Sequence, residues 1–231
     1  AAGLRVAESA VSIGDAVGWS KMIFGGMLAF EDPENPRGRE VLEDLMENAS
    51  TPMLAYYATL IESGRREFLG DLEGALALAA QAARIEGADS DATRTLMQVH
   101  LKLGNLAGAE RVFADDSLPP VRLNDMAWLL ATVDLSTVDD PEVLASVADA
   151  AIEYGERAVA ETPEVRTRWN TLGACVNRAG RYDEALAAYE ESMAVYEGVG
   201  TWADWFGLAI CHAELGDADT ARIWFERARV Y

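Results

Sequence analysis

Apolar and small residues recur along this chain in paired helical blocks, each pair joined by a short turn that contains glycine. Trp169, Leu172 and Gly173 are followed by the turn Ala179-Gly180-Arg181, then by Ala185, Leu186, Tyr189 and Met193. The order returns at Trp205, Leu208 and Ala209, the turn Leu215-Gly216-Asp217, and Ala221, Phe225 and Ala228. Upstream, Lys102-Leu103-Gly104-Asn105-Leu106 leads to Ala109 and Phe113, and Leu69-Gly70-Asp71-Leu72 leads to Ala75, Ala79 and Ala82. Two antiparallel helices approach closely only where small residues sit at the crossing, with larger side chains filling the space beside it. A glycine just past a helix end takes a positive φ at little cost.

The turn glycines at 70, 104, 180 and 216 are separated by 34, 76 and 36 residues. A fixed period of this size marks a repeat architecture, and the middle interval is two periods plus a surplus of about eight residues. The hidden repeat is expected to run from a first helix at Leu123–Ala131 to a second helix carrying Ala148, Ala151, Tyr154 and Ala158 and closing at Pro163. The surplus is assigned to a loop near 133–141 that contains Asp134, Asp139 and Asp140. Five hairpins over residues 53–231 follow.

Residues 1–52 lack the pattern and read as a helical hairpin, a cap or diverged repeat. A helix over residues 4–30 is weakened by Gly14, Gly18, Gly25 and Gly26. Glu31–Pro36 forms a turn, and a second helix runs to about Asn48. The first residues are neither an initiator methionine nor a secretory leader and read as a cut end. At the other end, Trp224, Phe225, Val230 and Tyr231 are expected to be partly uncovered, which suggests truncation, or a partner or second copy over that face.

The string Trp169-Asn170-Thr171-Leu172-Gly173, with its glycine turn and the aromatic Tyr189 beyond, resembles the tetratricopeptide repeat. The resemblance implies an all-α, right-handed α-solenoid of antiparallel helix hairpins and a non-catalytic protein-binding scaffold. In that family the first helices line a concave groove. Carried over, the groove is formed by Arg94, Gln98 and Lys102; by Asn124, Trp128 and Thr132; by Asn170, Ala174, Asn177 and Arg178; and by Phe206, Ile210 and Glu214. Spacings of four place such residues on one helix face. The two-lysine carboxylate clamp of chaperone-binding members is not reproduced. The last two repeats are also similar to the C-terminal repeats of large bacterial signalling proteins with serine/threonine-kinase or WD40 domains, although no kinase motif is present here.

Composition narrows the partner. Acidic residues number 39 against 19 basic ones, a formal net charge of −20. That balance argues against nucleic acid and anionic membrane surfaces, and no apolar run is long enough to span a bilayer. Arg94, Lys102 and Arg178 nevertheless fall on the expected inner surface, which points to a protein or peptide segment with an acidic or C-terminal carboxylate group. Trp128 and the asparagines offer an apolar anchor and backbone hydrogen bonds. Homodimerisation through the C-terminal face is the alternative.

Candidate chemistry is sparse. His100 and His212 occupy equivalent helix positions and read as packed rings. Cys175 and Cys211 are likewise equivalent, too far apart for a disulfide and too few for a zinc site. Asp115-Asp116 and Asp139-Asp140 lack the glycine-spaced pattern of a calcium loop. No cofactor or metal is expected, and the two cysteines fit a reducing cytoplasm.

Overall fold

The computed structural model describes residues 17–119 and 121–230. Among these residues there are twelve α-helices and no strand, the expected all-α helical-repeat class. Two compact units divide the chain, 1–120 and 121–231. The first holds α1 (Val17–Glu31), α2 (Pro36–Asn48), α3 (Pro52–Phe68), α4 (Leu72–Ala82), α5 (Ser90–Lys102) and α6 (Leu106–Phe113). The second holds α7 (Leu123–Thr132), α8 (Pro141–Glu161), α9 (Arg166–Arg178), α10 (Tyr182–Ala194), α11 (Trp202–Glu214) and α12 (Ala218–Val230). Within each unit the helices pair in chain order as hairpins, and first helices of successive hairpins touch. The part of the expected N-terminal helix over 4–16 lies outside the described residues.

The four repeat glycines do what their position demands. Gly70, Gly104, Gly180 and Gly216 have φ between 70° and 85°. Each sits one residue past a helix C-cap, and the next amide reaches back to close the turn. Asp71 N donates to Arg66 O at 2.9 Å, Asn105 N to His100 O at 2.9 Å, Arg181 N to Val176 O at 3.2 Å and Asp217 N to His212 O at 2.8 Å. This six-residue closure satisfies carbonyls that the helix end leaves unpaired. After three of the glycines the next residue caps the following helix: the side chains of Asp71, Asn105 and Asp217 accept from Gly74 N, Gly108 N and Thr220 N. One dipeptide thus ends one helix and starts another.

The α7/α8 hairpin has no such turn. Eight residues, 133–140, connect its helices, and α8 extends to 21 residues where the other second helices have 8 to 13. The surplus is therefore shared between the loop and a longer helix. The loop is anchored, since Val133 and Leu135 are buried.

The glycines of the first hairpin have a packing role. A Cβ on Gly25 would lie 3.0 Å from Val41, and one on Gly38 would lie 3.0 Å from the Cβ of Leu28. Their absence lets α1 and α2 approach closely, offsetting the helix weakness read from the sequence. The core of the next two hairpins is built on Tyr56, fully buried, whose hydroxyl donates to the α5 N-cap Asp89 at 2.5 Å. Beside it, the equally buried Glu62 accepts from Arg65 at 2.6 and 2.7 Å and from Arg66 at 3.1 Å. Burial alone would raise the Glu62 carboxyl; the two guanidiniums outweigh it and hold the group below its ordinary value.

Two outcomes follow. Gly180→Ala, with nothing within 4 Å of the added Cβ, carries only the left-handed backbone cost and should lower stability by about 1 kcal/mol in urea titration. Glu62→Gln removes the buried charge that Arg65 and Arg66 share, leaving them Pro33 O and Asp71, and should cost about 3 kcal/mol. Because Glu62 is lowered in the folded state, its contribution is present above its unfolded value of about 4.3 and is lost as pH falls through the folded one. Stability measured against pH should therefore fall less steeply on the acid side in Glu62→Gln than in wild type.

Candidate functional site

In the second unit α7, α9 and α11 present one face each to a shared hollow of about 340 Å³. Trp128 and Ala131 line it from α7, Asn170, Ala174, Asn177 and Arg178 from α9, and Trp202, Phe206 and Ile210 from α11. The α9 residues stand on one stripe because residues three and four apart share a helix face. Tyr189 of α10 also lines the hollow. Its ring occupies the gap between α9 and α11: a Cβ on Gly173 would lie 2.7 Å from it, and one on Gly207 2.2 Å. Glycine at both positions makes room for the ring. Burial pushes the Tyr189 phenol upward, and the side chain of Asn177 opposes that shift.

A buried carboxylate behind the hollow holds one of its lining residues, Asn170. Asp204 is fully buried and accepts four hydrogen bonds: from Asn170 Nδ2 at 2.8 Å, Ser192 Oγ at 2.6 Å, and Thr201 N and Oγ1 at 2.7 Å each. Thr201 and Asp204 form the capping box of α11, where a negative charge also favours the helix N-terminus. Asn170 is held in place by this network.

On the other side, Arg178 Nη1 donates to Ala131 O at 3.0 Å and Val133 O at 2.9 Å. The guanidinium closes the C-terminal end of α7, whose last carbonyls carry partial negative charge, and fixes the start of the long loop. Burial lowers its pKa, countered in part by Asp134. The sequence reading assigned Arg178 to a ligand; the structure also gives it this internal task.

The other expected groove residues are placed differently. Arg94, Gln98 and Lys102 belong to the first unit. Arg94 pairs with Asp91. Gln98 and Lys102 both donate to Glu67 Oε1, at 2.9 and 2.7 Å, tying α5 to α3. The expected presentation of these cations to a partner carboxylate is thus modified: both already have intramolecular carboxylates. Asn124 stands in the first turn of α7 with a buried Oδ1 that makes no hydrogen bond, and it does not line the hollow. Trp128, 43% exposed, is available to a partner.

Cys175 and Cys211 are free and fully buried. Burial pushes the Cys175 thiol up to about 12 and the Cys211 thiol up to about 11, so neither forms an effective nucleophile near neutral pH. His100 packs its ring over Gly108 and is lowered by that burial; His212 faces Asp217 at 3.6 Å. Asp115 accepts from Ser117, and Asp140 caps α8. Among the described residues no group of three or more His, Cys, Asp or Glu is placed to hold a metal ion, and no helix is long and apolar enough to cross a membrane.

Sequence reasoning missed Trp202, Gly207 and Asp204 as parts of this site. The Thr201-x-x-Asp204 spacing was the available signal for the last of them, as a variant of the capping-box pattern.

Residues 164–229 match the tetratricopeptide repeat. That segment spans the two hairpins α9/α10 and α11/α12, whose first helices form most of the hollow. Among solved structures, PilW, titled a widely conserved type IV pilus biogenesis factor, is similar over 94% of both chains, with 16% identity and a TM-score of 0.51. A MamA fragment from Desulfovibrio magneticus RS-1 aligns over 92% of this chain and 93% of its own, at 12% identity and TM-score 0.41. Another MamA structure covers 72% of this chain and 91% of its own, at 17% identity and TM-score 0.39. At such identities the likeness to PilW is one of fold. No curated protein matches the chain.

The thiols supply a check on this packing. Ellman's reagent should leave both cysteines unmodified in the native protein at mildly alkaline pH and modify two per chain in denaturant. Rapid native labelling would show that the α9/α11 interface opens.

Proposed function

We propose that the protein is a non-catalytic scaffold whose second unit binds an extended segment of a partner protein in the hollow between α7, α9 and α11. The observation that carries the reading is convergence. Trp128, Asn170, Asn177, Arg178 and Phe206, chosen from sequence as groove residues, line one cavity. Trp128, Trp202 and Ile210 are 43%, 55% and 48% exposed there, an apolar surface suited to one anchoring side chain. The amides favour an extended ligand, because a helix has already satisfied most of its own backbone groups. A carboxylate on the segment, acidic or C-terminal, would meet Arg178; Arg94 and Lys102 lie outside this site. The wording of the last two repeats supports a place within a larger bacterial signalling polypeptide, and the sparse cysteines support a cytoplasmic one.

A second reading has its own observation. Ala213, Ala218, Ala221 and Phe225 join Phe206 and Ile210 around an apolar hollow of about 580 Å³ on α11 and α12, a face suited to self-association. Trp128 and Phe225 separate the two, since each lines one hollow only. With groove binding, Trp128→Ala should reduce capture of a partner by about tenfold or more while the melting curve and Phe225→Ser capture stay near wild type. A dimer in light scattering that Phe225→Ser dissolves would favour self-association. Capture unaffected by Trp128→Ala would remove the groove reading. Amidating the C-terminus of a captured peptide tests its carboxylate.

A further inference from the structure

We infer that the first unit carries a separate docking surface, a trough between α1 and α3 that takes an amphipathic helix of a partner protein with basic residues at one end. The trough has a volume of about 610 Å³. Phe30 of α1 and Phe68 of α3 flank it and are 89% and 77% exposed. Two such rings on one apolar hollow are a larger concession to water than scattered surface residues require.

The floor is shaped for close approach. Gly64 lies within α3, is exposed, and a Cβ placed on it would meet nothing within 4 Å. Glycine there weakens the helix and is not required by any neighbour in the fold. It leaves backbone open to whatever fills the trough. Gly26 on α1 has a different part: its Cβ position lies 3.3 Å from Ile61, so glycine there lets α1 approach α3 closely.

Charge selects the occupant. The contact of Gly26 with Ile61 and the hydrogen bond from Arg65 Nη1 to Pro33 O at 2.7 Å show that α1 and α3 run in the same direction. Their C-terminal ends, each partially negative, therefore meet at one end of the trough. Exposed Glu31, Asp32 and Glu34 adjoin the lining residues Phe30 and Pro33 in the chain at that end, and α1 has no basic residue in its last turn. The last turn of α3 carries Arg65 and Arg66, and both are already engaged: Arg65 by Glu62 and Pro33 O, Arg66 by Glu62 and Asp71. An apolar trough with few polar groups suits a helix, which brings its backbone already hydrogen-bonded, and the negative end suits lysine or arginine. A second copy of this chain, at net charge −20, would add acid to acid.

The test uses the full chain and two synthetic helices of about 18 residues, long enough for five turns. Both carry leucine on one face and glutamine on the other; one has lysines at its ends, the other glutamates. In fluorescence anisotropy the lysine peptide should bind at least about tenfold tighter than the glutamate peptide. Gly64→Leu, which fills open space, should abolish that binding without lowering the melting temperature. Trp128→Ala should leave it unchanged, which separates this surface from the groove of the second unit. Binding of neither peptide, equal binding of both, or binding that survives Gly64→Leu would overturn the proposal. So would a dimer that Phe30→Ser dissolves, which would assign the trough to a second copy. Lysine-peptide binding that appears only after removal of residues 1–16 would assign it to the chain's own segment.

Discussion

The Tyr189 ring sits between α9 and α11 with glycine on either side of it, and the second unit is organised around that fit. A Cβ on Gly173 or Gly207 would come within 2.7 or 2.2 Å of ring atoms, closer than any side chain tolerates. The same ring lines the candidate site. Helix spacing and the floor of the hollow thus depend on a single aromatic residue and two absent side chains. Close-packed interiors behave in this way because they contain few voids to absorb an added methyl group.

Two buried carboxylates show how an acidic chain manages charge inside. Asp204 is satisfied by four hydrogen bonds from an amide, two hydroxyls and a backbone N–H, with the start of α11 adding a favourable field. Glu62 is satisfied by two arginines of its own helix. Both stiffen first helices, which carry the surfaces a partner would meet. Many cations are engaged within the chain: Lys21 with Asp44, Lys102 with Glu67, Arg181 with Glu184 and Arg229 with Glu226. With 39 acidic residues against 19 basic ones, the surplus faces water, favours basic ligands at long range and leaves carboxylate recognition to local contacts.

The hairpin turns were legible because they depend on local chemistry. A positive φ needs glycine, the next amide closes the helix end, and the Asp or Asn that follows starts the next helix. The aromatic and small positions could be placed for a similar reason, since they recur at helix spacing. Local readings were incomplete where the same residue could serve two neighbours. Arg178 looked like a groove cation and also seals the end of α7; Lys102 and Gln98 looked like ligand contacts and tie α5 to Glu67 on α3. The surplus residues of the α7/α8 hairpin were assigned to a loop, but α8 takes many of them as added helical turns.

The sequence alone determined that the chain is a series of helical hairpins and where the glycine turns fall, because these follow from φ at glycine, end-capping and a period of 3.6 residues. The tertiary structure decided which faces converge, which charges are already paired, and where hollows remain. Those depend on distances between residues far apart in the chain, as when Asn170 meets Asp204, Tyr189 fits between Gly173 and Gly207, and Gly26 lies against Ile61.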